Sequence, residues 1–159
     1  MIRFARISNT HPLYRQACDL RERVLLRPLG FDIPWFLATY PDIDARAEHF
    51  VAILDHPTGS RVVGCALLIP DYPAPGVGKL MQMAVDPQRQ GEGIGRRLVV
   101  EVERRAFGEL GLREVFCHAQ NPAMGFYRAL GWEADPEEFS EAGIPHHRMR
   151  IVQPAAEPS

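Results

Sequence analysis

The segment Val85-Asp86-Pro87-Gln88-Arg89-Gln90-Gly91-Glu92-Gly93-Ile94-Gly95-Arg96-Arg97-Leu98 constrains the fold more than any other part of the chain. A strand-like run, Lys79 to Val85, leads into it. A helical pattern leaves it, with Ile94, Leu98, Val102 and Phe107 spaced to share roughly one face. Between them stand three glycines in five residues, at 91, 93 and 95. Glycine lets backbone N–H groups turn toward a ligand and approach it closely. A helix that starts there adds unpaired N–H donors and the positive end of its dipole. The pattern predicts a seat for a pyrophosphate; a plain tight turn is the other reading of the same letters.

Two common phosphate loops fail on the spelling. A Walker loop needs Lys followed by Ser or Thr after its last glycine, and neither pair is present here. A dinucleotide-binding fingerprint needs a third glycine three positions after Gly93, where Arg96 stands. The strand also stops short of the first glycine, because Asp86 to Gln90 intervene.

A length of 159 residues suits one domain with a real core, and 1–152 is expected to form it, followed by a frayed tail at 153–159. The formal net charge of -2 argues against a nucleic-acid partner held by bulk electrostatics. Cys18, Cys65 and Cys117 are widely spaced and form no Cys-x-x-Cys pair, so they read as reduced, mostly buried thiols. No apolar run approaches the ~20 residues of a membrane span. Met1 to Ile7 has the pattern of a strand and not of a signal peptide. A cytoplasmic protein with no membrane partner is expected.

Taken in order, Ile2–Ile7 reads as a strand, and Leu13, Ala17, Leu20 and Val24 recur at helical spacing to about Leu26. Arg15, Arg21, Arg23 and Arg27 read as the solvated side of that helix. Prolines at 28, 34 and 41 prevent a long element in the apolar stretch 28–44, which reads as a pocket wall, a partner surface or plain core. Glu48–Leu54 and Arg61–Ile69 form an antiparallel hairpin, and Lys79–Val85 is the next strand. After the glycines come a long helix from Arg96 to about Leu110, a strand at Glu114–His118 and a short helix at Ala123–Leu130. A strand begins at Trp132, 135–145 reads as an acidic loop, and His147–Val152 is the last strand. This order implies an α+β (mixed α/β) fold on a largely antiparallel sheet.

Gln90-Gly91-Glu92-Gly93-Ile94-Gly95, after Ala-Val-Asp-Pro and before Arg-Arg-Leu, closely resembles the acetyl-CoA loop of the GNAT superfamily of N-acetyltransferases. Phe126-Tyr127-Arg128-Ala129-Leu130-Gly131-Trp132 resembles that superfamily's Phe-Tyr-x-x-Leu-Gly-Phe signature. The stretch from Glu138 through Phe139, Glu141, Gly143, Ile144, Pro145 and His146 to Met149 is similar to the ending of an ElaA-like branch. His49-Phe50 and Leu80 to Val85 also sit where that branch would put them. The likeness covers roughly His49 to Met149, and weakly Arg21 to Gly30. It implies the GNAT fold, a central twisted sheet of about 6–7 mostly antiparallel strands flanked by about four helices.

The resemblance further implies acetyl transfer from acetyl-CoA to a primary amine by direct attack in a ternary complex, without an acyl-enzyme. The alternative is a non-catalytic acyl-CoA sensor or interaction module on the same fold. In the family, a slot beside the fourth strand takes the pantetheine arm. Met83, Ala84 and Val85 would then pair with that arm, one N–H near Met83 or Ala84 polarising the thioester carbonyl. Gln90, Gly91, Glu92, Gly93, Ile94, Gly95 and Arg96 would hold the pyrophosphate. Tyr127 would protonate the departing thiolate, a role that suits a phenol neutral at pH 7; a buried aromatic with a satisfied hydroxyl is the structural reading. Where most members carry Asn seven residues before the tyrosine this chain has Gln120, with Asn121 displaced by one. The strand before the loop, Leu80-Met81-Gln82-Met83, lacks the Glu that relatives often use as a base. The base is therefore open among His118, the first candidate, and His147, His146, His49 and Glu48. Ligand spacing for a metal is missing. The acceptor is a small-molecule or peptide amine, and the apolar strand edges with Trp35-Phe36 would suit a homodimer.

Overall fold

The computed structural model describes residues 1–153, so the tail expected at 153–159 lies outside the described residues beyond Gln153. Seven strands follow one another across a mixed α/β sheet in the order β1-β2-β3-β4-β5-β7-β6. The chain divides into two compact units, Met1–Ile69 with Leu80–Val102, and Pro70–Lys79 with the chain from Glu103 onward.

In the first unit, β1 (Ile2–Ile7) pairs antiparallel with β2 (Glu48–His56), which pairs antiparallel with β3 (Gly59–Ile69). The expected hairpin is present. Strand β3 is buried from Val62 to Ile69 as its near-continuous apolar run requires. Helix α1 (Tyr14–Arg21) widens into a π-type turn at Glu22–Leu26 and closes in a 3-10 turn at Arg27–Leu29. Ala17 and Leu20 join Ile7, Val51, Ile53, Cys65 and Ala84 in one buried cluster.

The prolines of 28–44 start short helices. Pro34 lies in the first turn of α2 (Ile33–Thr39), whose N-cap Asp32 accepts from the Trp35 N–H at 2.8 Å, and Pro41 opens α3 (Pro41–Arg46). A missing N–H costs nothing in a first turn, so proline sets where each helix begins. Phe36 is 2% exposed and lies 5.2 Å from Tyr40, and Trp35 stacks on Phe31 at 3.9 Å. Helix α4 (Ile94–Glu103) lies against β3 at Gly64. A Cβ there would stand 2.8 Å from Ile94 Cγ2 and 3.1 Å from Leu98 Cδ1. Glycine is what permits that approach.

The arginines of α1 divide. Arg23 and Arg27 are exposed, but Arg21 is 1% exposed, which corrects the reading of a solvated face. Its Nη1 donates to Asp44 Oδ1 at 3.0 Å and its Nε to Gln82 Oε1 at 3.3 Å, while its Cζ lies 4.8 Å above the centre of the Phe36 ring. Tyr14 also donates to Asp44, and His49 Nε2 meets the Asp44 carbonyl at 3.2 Å.

In the second unit, the first residues of β4 (Val77–Val85) pair parallel with β5 (Glu114–Gln120) through Val77–Lys79 and Glu114–Phe116. Beyond β5 come α5 (Met124–Ala129), β6 (Glu133–Glu141) and β7 (Ile144–Val152). Strand β7 pairs antiparallel with β5 along its length and with β6 on its other side. The loop expected at 135–145 is instead most of a β-hairpin, turned by Ala142 and Gly143 at φ of 52° and 76°. Acidic residues are poor strand formers, yet here they find cross-strand cations. Asp135 lies 3.7 Å from Arg148 and 3.6 Å from Arg150. A register shift between Ala134 and Glu138 takes up Pro136, as a bulge does.

Candidate active site

The glycine turn is built from its start. Asp86 Oδ1 accepts from the Gln88 N–H at 3.0 Å and opens a 3-10 turn at Pro87–Arg89, after which Gln90 is extended. Gly91 and Gly93 take φ of 86° and 80°, and no atom lies within 4 Å of a Cβ built on either. Conformation, not space, demands glycine there. The Arg97 N–H bonds the Gly93 carbonyl at 3.1 Å, so the N–H groups of Ile94, Gly95 and Arg96 precede the helical ladder. Ile94 is buried and anchors the helix, whereas Gln90, Gly91, Glu92, Gly93 and Arg96 are exposed. Arg89 and Glu92 form an ion pair at 3.4 Å. The turn presents polar hydrogen and positive charge outward, an arrangement that suits an anion.

Just upstream, Gln82 departs from the strand. Its φ is 52°, a left-handed conformation costly for a non-glycine residue. Arg21 holds its side chain, and the Cys65 thiol donates to its carbonyl at 3.8 Å. Regular pleating is thus interrupted immediately before Met83, Ala84 and Val85, of which Ala84 is buried and the other two half-buried.

The second unit carries both catalytic candidates, on opposite faces of β5. Successive strand residues point to opposite sides. Cys117 turns to one side, where its thiol meets Tyr127, and His118 turns to the other. Tyr127 is 7% exposed, with Phe126 and Trp132 rings at 5.0 and 5.2 Å. Burial, then the neighbouring Cys117, raises its phenol well above the usual range, so the group remains a proton donor. Burial likewise pushes the thiols of Cys117 and Cys65 up to about 12. All three cysteines are free.

His118 Nδ1 lies 3.0 Å from Glu141 Oε1, and its ring packs edge-on against Phe139 at 4.9 Å. Burial lowers its pKa; the Glu141 carboxylate opposes this and Lys79 reinforces it. His146 Nε2 stands 3.6 Å from Glu141 Oε2, while its Nδ1 lies 2.7 Å from the Ile144 carbonyl. On the same face, Arg148 and Arg150 both bond Glu114, at 3.0 and 3.1 Å. Burial works against ionisation of Glu114, but these guanidiniums outweigh it and hold the carboxyl below its usual range.

The remaining candidates separate. Gln120 is exposed at the end of β5. Asn121 spends both ends of its amide within the second unit, Nδ2 on Glu138 at 2.6 Å and Oδ1 on His147 at 2.8 Å. His49 is buried against Asp44, and Glu48 meets Arg6 at 3.4 Å. Among the described residues no group of three or more His, Cys, Asp or Glu could hold a metal ion, and no helix is long and apolar enough to cross a membrane. Sequence reasoning passed over Arg21, Gln82 and Glu141. Arg21 follows Ala17 by four and Leu20 by one, which places it on the apolar stripe of α1; that was the available signal.

The fold is one that solved structures share. Escherichia coli ElaA has it, at a TM-score of 0.72 and 18% identity over 94% of this chain and 99% of that one. So does an aminoglycoside 6'-N-acetyltransferase solved with coenzyme A, at 0.76 and 16% over 98% and 99%. In sequence, UPF0039 protein C11D3.02c of Schizosaccharomyces pombe is 26% identical over 134 residues, 84% of this chain and 87% of that protein. Residues 13–132 match the Acetyltransferase (GNAT) family, and the chain belongs to it. Membership supports acetyl-CoA-dependent acyl transfer as the general activity.

Proposed function

We propose that this protein moves the acetyl group of acetyl-CoA to a primary amine by direct attack in a ternary complex. The observation that carries the reading is the exposed turn at Gln90–Arg96, where the N–H groups of Ile94, Gly95 and Arg96 stand ahead of the helical ladder. These donors, with Arg96, hold the pyrophosphate. Met83, Ala84 and Val85 supply backbone partners to the pantetheine arm, after the break at Gln82. Gln120 is the free amide in this reading, since Asn121 is engaged on Glu138 and His147.

Tyr127 protonates the departing thiolate. Burial keeps its phenol neutral, so the group holds a proton that a departing thiolate can draw on. Direct transfer is supported by the cysteines. Thiols pushed up to about 12 carry almost no thiolate at neutral pH and make poor nucleophiles. The acceptor is a small-molecule or peptide amine, and the closing Glu141-Ala142-Gly143-Ile144-Pro145-His146 supports placement in the ElaA-like branch. One domain over 1–152, a cytoplasmic site of action and a possible homodimer complete the reading, with neither nucleic acid nor membrane as partner.

Titration calorimetry with acetyl-CoA, followed by thiol release against an amine panel, tests it. Binding with release for one amine class is expected. Binding without release favours the acyl-CoA sensor, and no binding refutes the turn as a phosphate seat. Gly93→Glu should abolish binding, because it adds a like charge and a strained φ at the seat.

A further inference from the structure

We infer that Glu141 is a positioning residue that fixes His118 in one tautomer, making His118 Nε2 the atom that takes the proton from the incoming amine. The inference rests on the transferase reading and adds the base and the residue that orients it. A carboxylate only accepts hydrogen bonds when ionised. With Glu141 Oε1 3.0 Å from Nδ1, the His118 proton sits on Nδ1 and the lone pair on Nε2. Among the described residues nothing hydrogen-bonds that Nε2, and the side chain is 28% exposed, so the lone pair is uncommitted.

The hairpin holds Glu141 in place. It is the last residue of β6, opposite Ile144 and ahead of the Ala142-Gly143 turn. His146 is oriented too, but the other way. A carbonyl only accepts, so the 2.7 Å contact to Ile144 O puts the His146 proton on Nδ1 and turns Nε2 inward to Glu141. His146 is 5% exposed and has no outlet to a substrate. Of the two histidines beside this carboxylate, only His118 offers an uncommitted lone pair.

The groups facing His118 are Glu141 from β6, Lys79 from β4, and His146 and Arg148 from β7, with Phe116 and Phe139 supplying apolar sides. Burial and Lys79 favour a neutral imidazole, while Glu141 stabilises the imidazolium once it forms. The proton balance is simple. An ammonium gives one proton to Nε2, and the freed amine lone pair forms the C–N bond as the C–S bond breaks. The thiolate takes a proton from Tyr127. The nitrogen, cationic after attack, and His118 each release a proton to water, and the phenolate takes one back from water.

The test combines imidazole NMR with kinetics on the full chain. Long-range 1H–15N spectra, with His118→Gln supplying the assignment, report the His118 tautomer directly. The Nδ1–H form is expected in the wild type, moving toward Nε2–H in Glu141→Gln. Thiol release is then followed with spermidine, tyramine, glucosamine and lysine ethyl ester as acceptors. Glu141→Gln should lower kcat/KM at least about tenfold and shift the acidic limb of its pH profile downward, with acetyl-CoA affinity unchanged. Glu141→Asp should restore part of the rate. An Nε2–H tautomer in the wild type overturns the inference whatever the rates. Release by the wild type that is insensitive to Glu141→Gln overturns the inference alone. Acetyl-CoA binding with no release from any of the four amines overturns the transferase reading, and the base with it.

Discussion

The Arg21–Asp44–Tyr14–His49 group of the first unit and the His118–Glu141–His146 group of the second use similar parts to opposite ends. Each joins a carboxylate to aromatic and cationic neighbours. In the first, Asp44 is 6% exposed and both its oxygens and its carbonyl are taken by Arg21, Tyr14 and His49. What is left over is a donor, Arg21 Nη2, buried without a partner. In the second, Glu141 is half exposed and what is left over is His118 Nε2, without a hydrogen-bond partner among the described residues. A closed network of charges can only hold the fold together. An open one can pass a proton.

Asp44→Ala separates the two most strongly. It leaves the Arg21 guanidinium buried and unpaired, and should cost about 3–5 kcal/mol, read from the urea midpoint. A loss under about 1 kcal/mol would mean that the first group is not a closed network. Next comes Tyr127→Phe, which probes whether a fully buried group can still do chemistry. Turnover should fall about a hundredfold, roughly 2.7 kcal/mol, with little change in acetyl-CoA affinity; equal losses in both would remove the acid assignment. Gly64→Ala should destabilise by about 1–3 kcal/mol in thermal unfolding, because Ile94 and Leu98 must move.

The smallest effect belongs to Glu103, a half-buried carboxyl in neither group. Burial pushes it up to about 7 from 4.5. A raised carboxyl contributes stability below its unfolded pKa and loses it as pH rises through the folded value. Glu103→Gln should therefore match the wild type near pH 4 and exceed it at pH 8. Discounted for solvent, the gain is of order 1 kcal/mol in urea unfolding. No gain at pH 8 would show the side chain already solvated.

The same contrast explains what could be read from the letters. The glycine turn was legible because φ near 80° at Gly93 and an N–H run at a helix start are local properties with a local spelling. The hairpin Glu48–Ile69 was legible because turn residues separate two apolar runs. Arg21 was misjudged because charge suggested solvent, and the partners that make its burial tolerable, Asp44, Gln82 and Phe36, are distant in sequence. The strand character of 135–145 was hidden for the same reason. Asp135, Pro136 and Glu138 oppose a strand on local grounds, and Arg148, Arg150 and the bulge that rescue them come from another strand. The tautomer of His118 depends on Glu141, 23 residues away, and no local pattern announces it.

Strand β6 stands last in the strand order and, among the described residues, bonds only β7, which leaves one row of its backbone N–H and C=O groups without a strand partner there. Such a margin can template a second chain, and aggregation begins there. The features that made this stretch look unlike a strand are the ones that protect it. Pro136 removes a donor, the bulge spoils a flat match, and Glu133, Glu137 and Glu138 bring like charges against any copy that approaches. Glutamine in place of those glutamates would weaken this guard, so such a variant should lose colloidal stability while it keeps its fold.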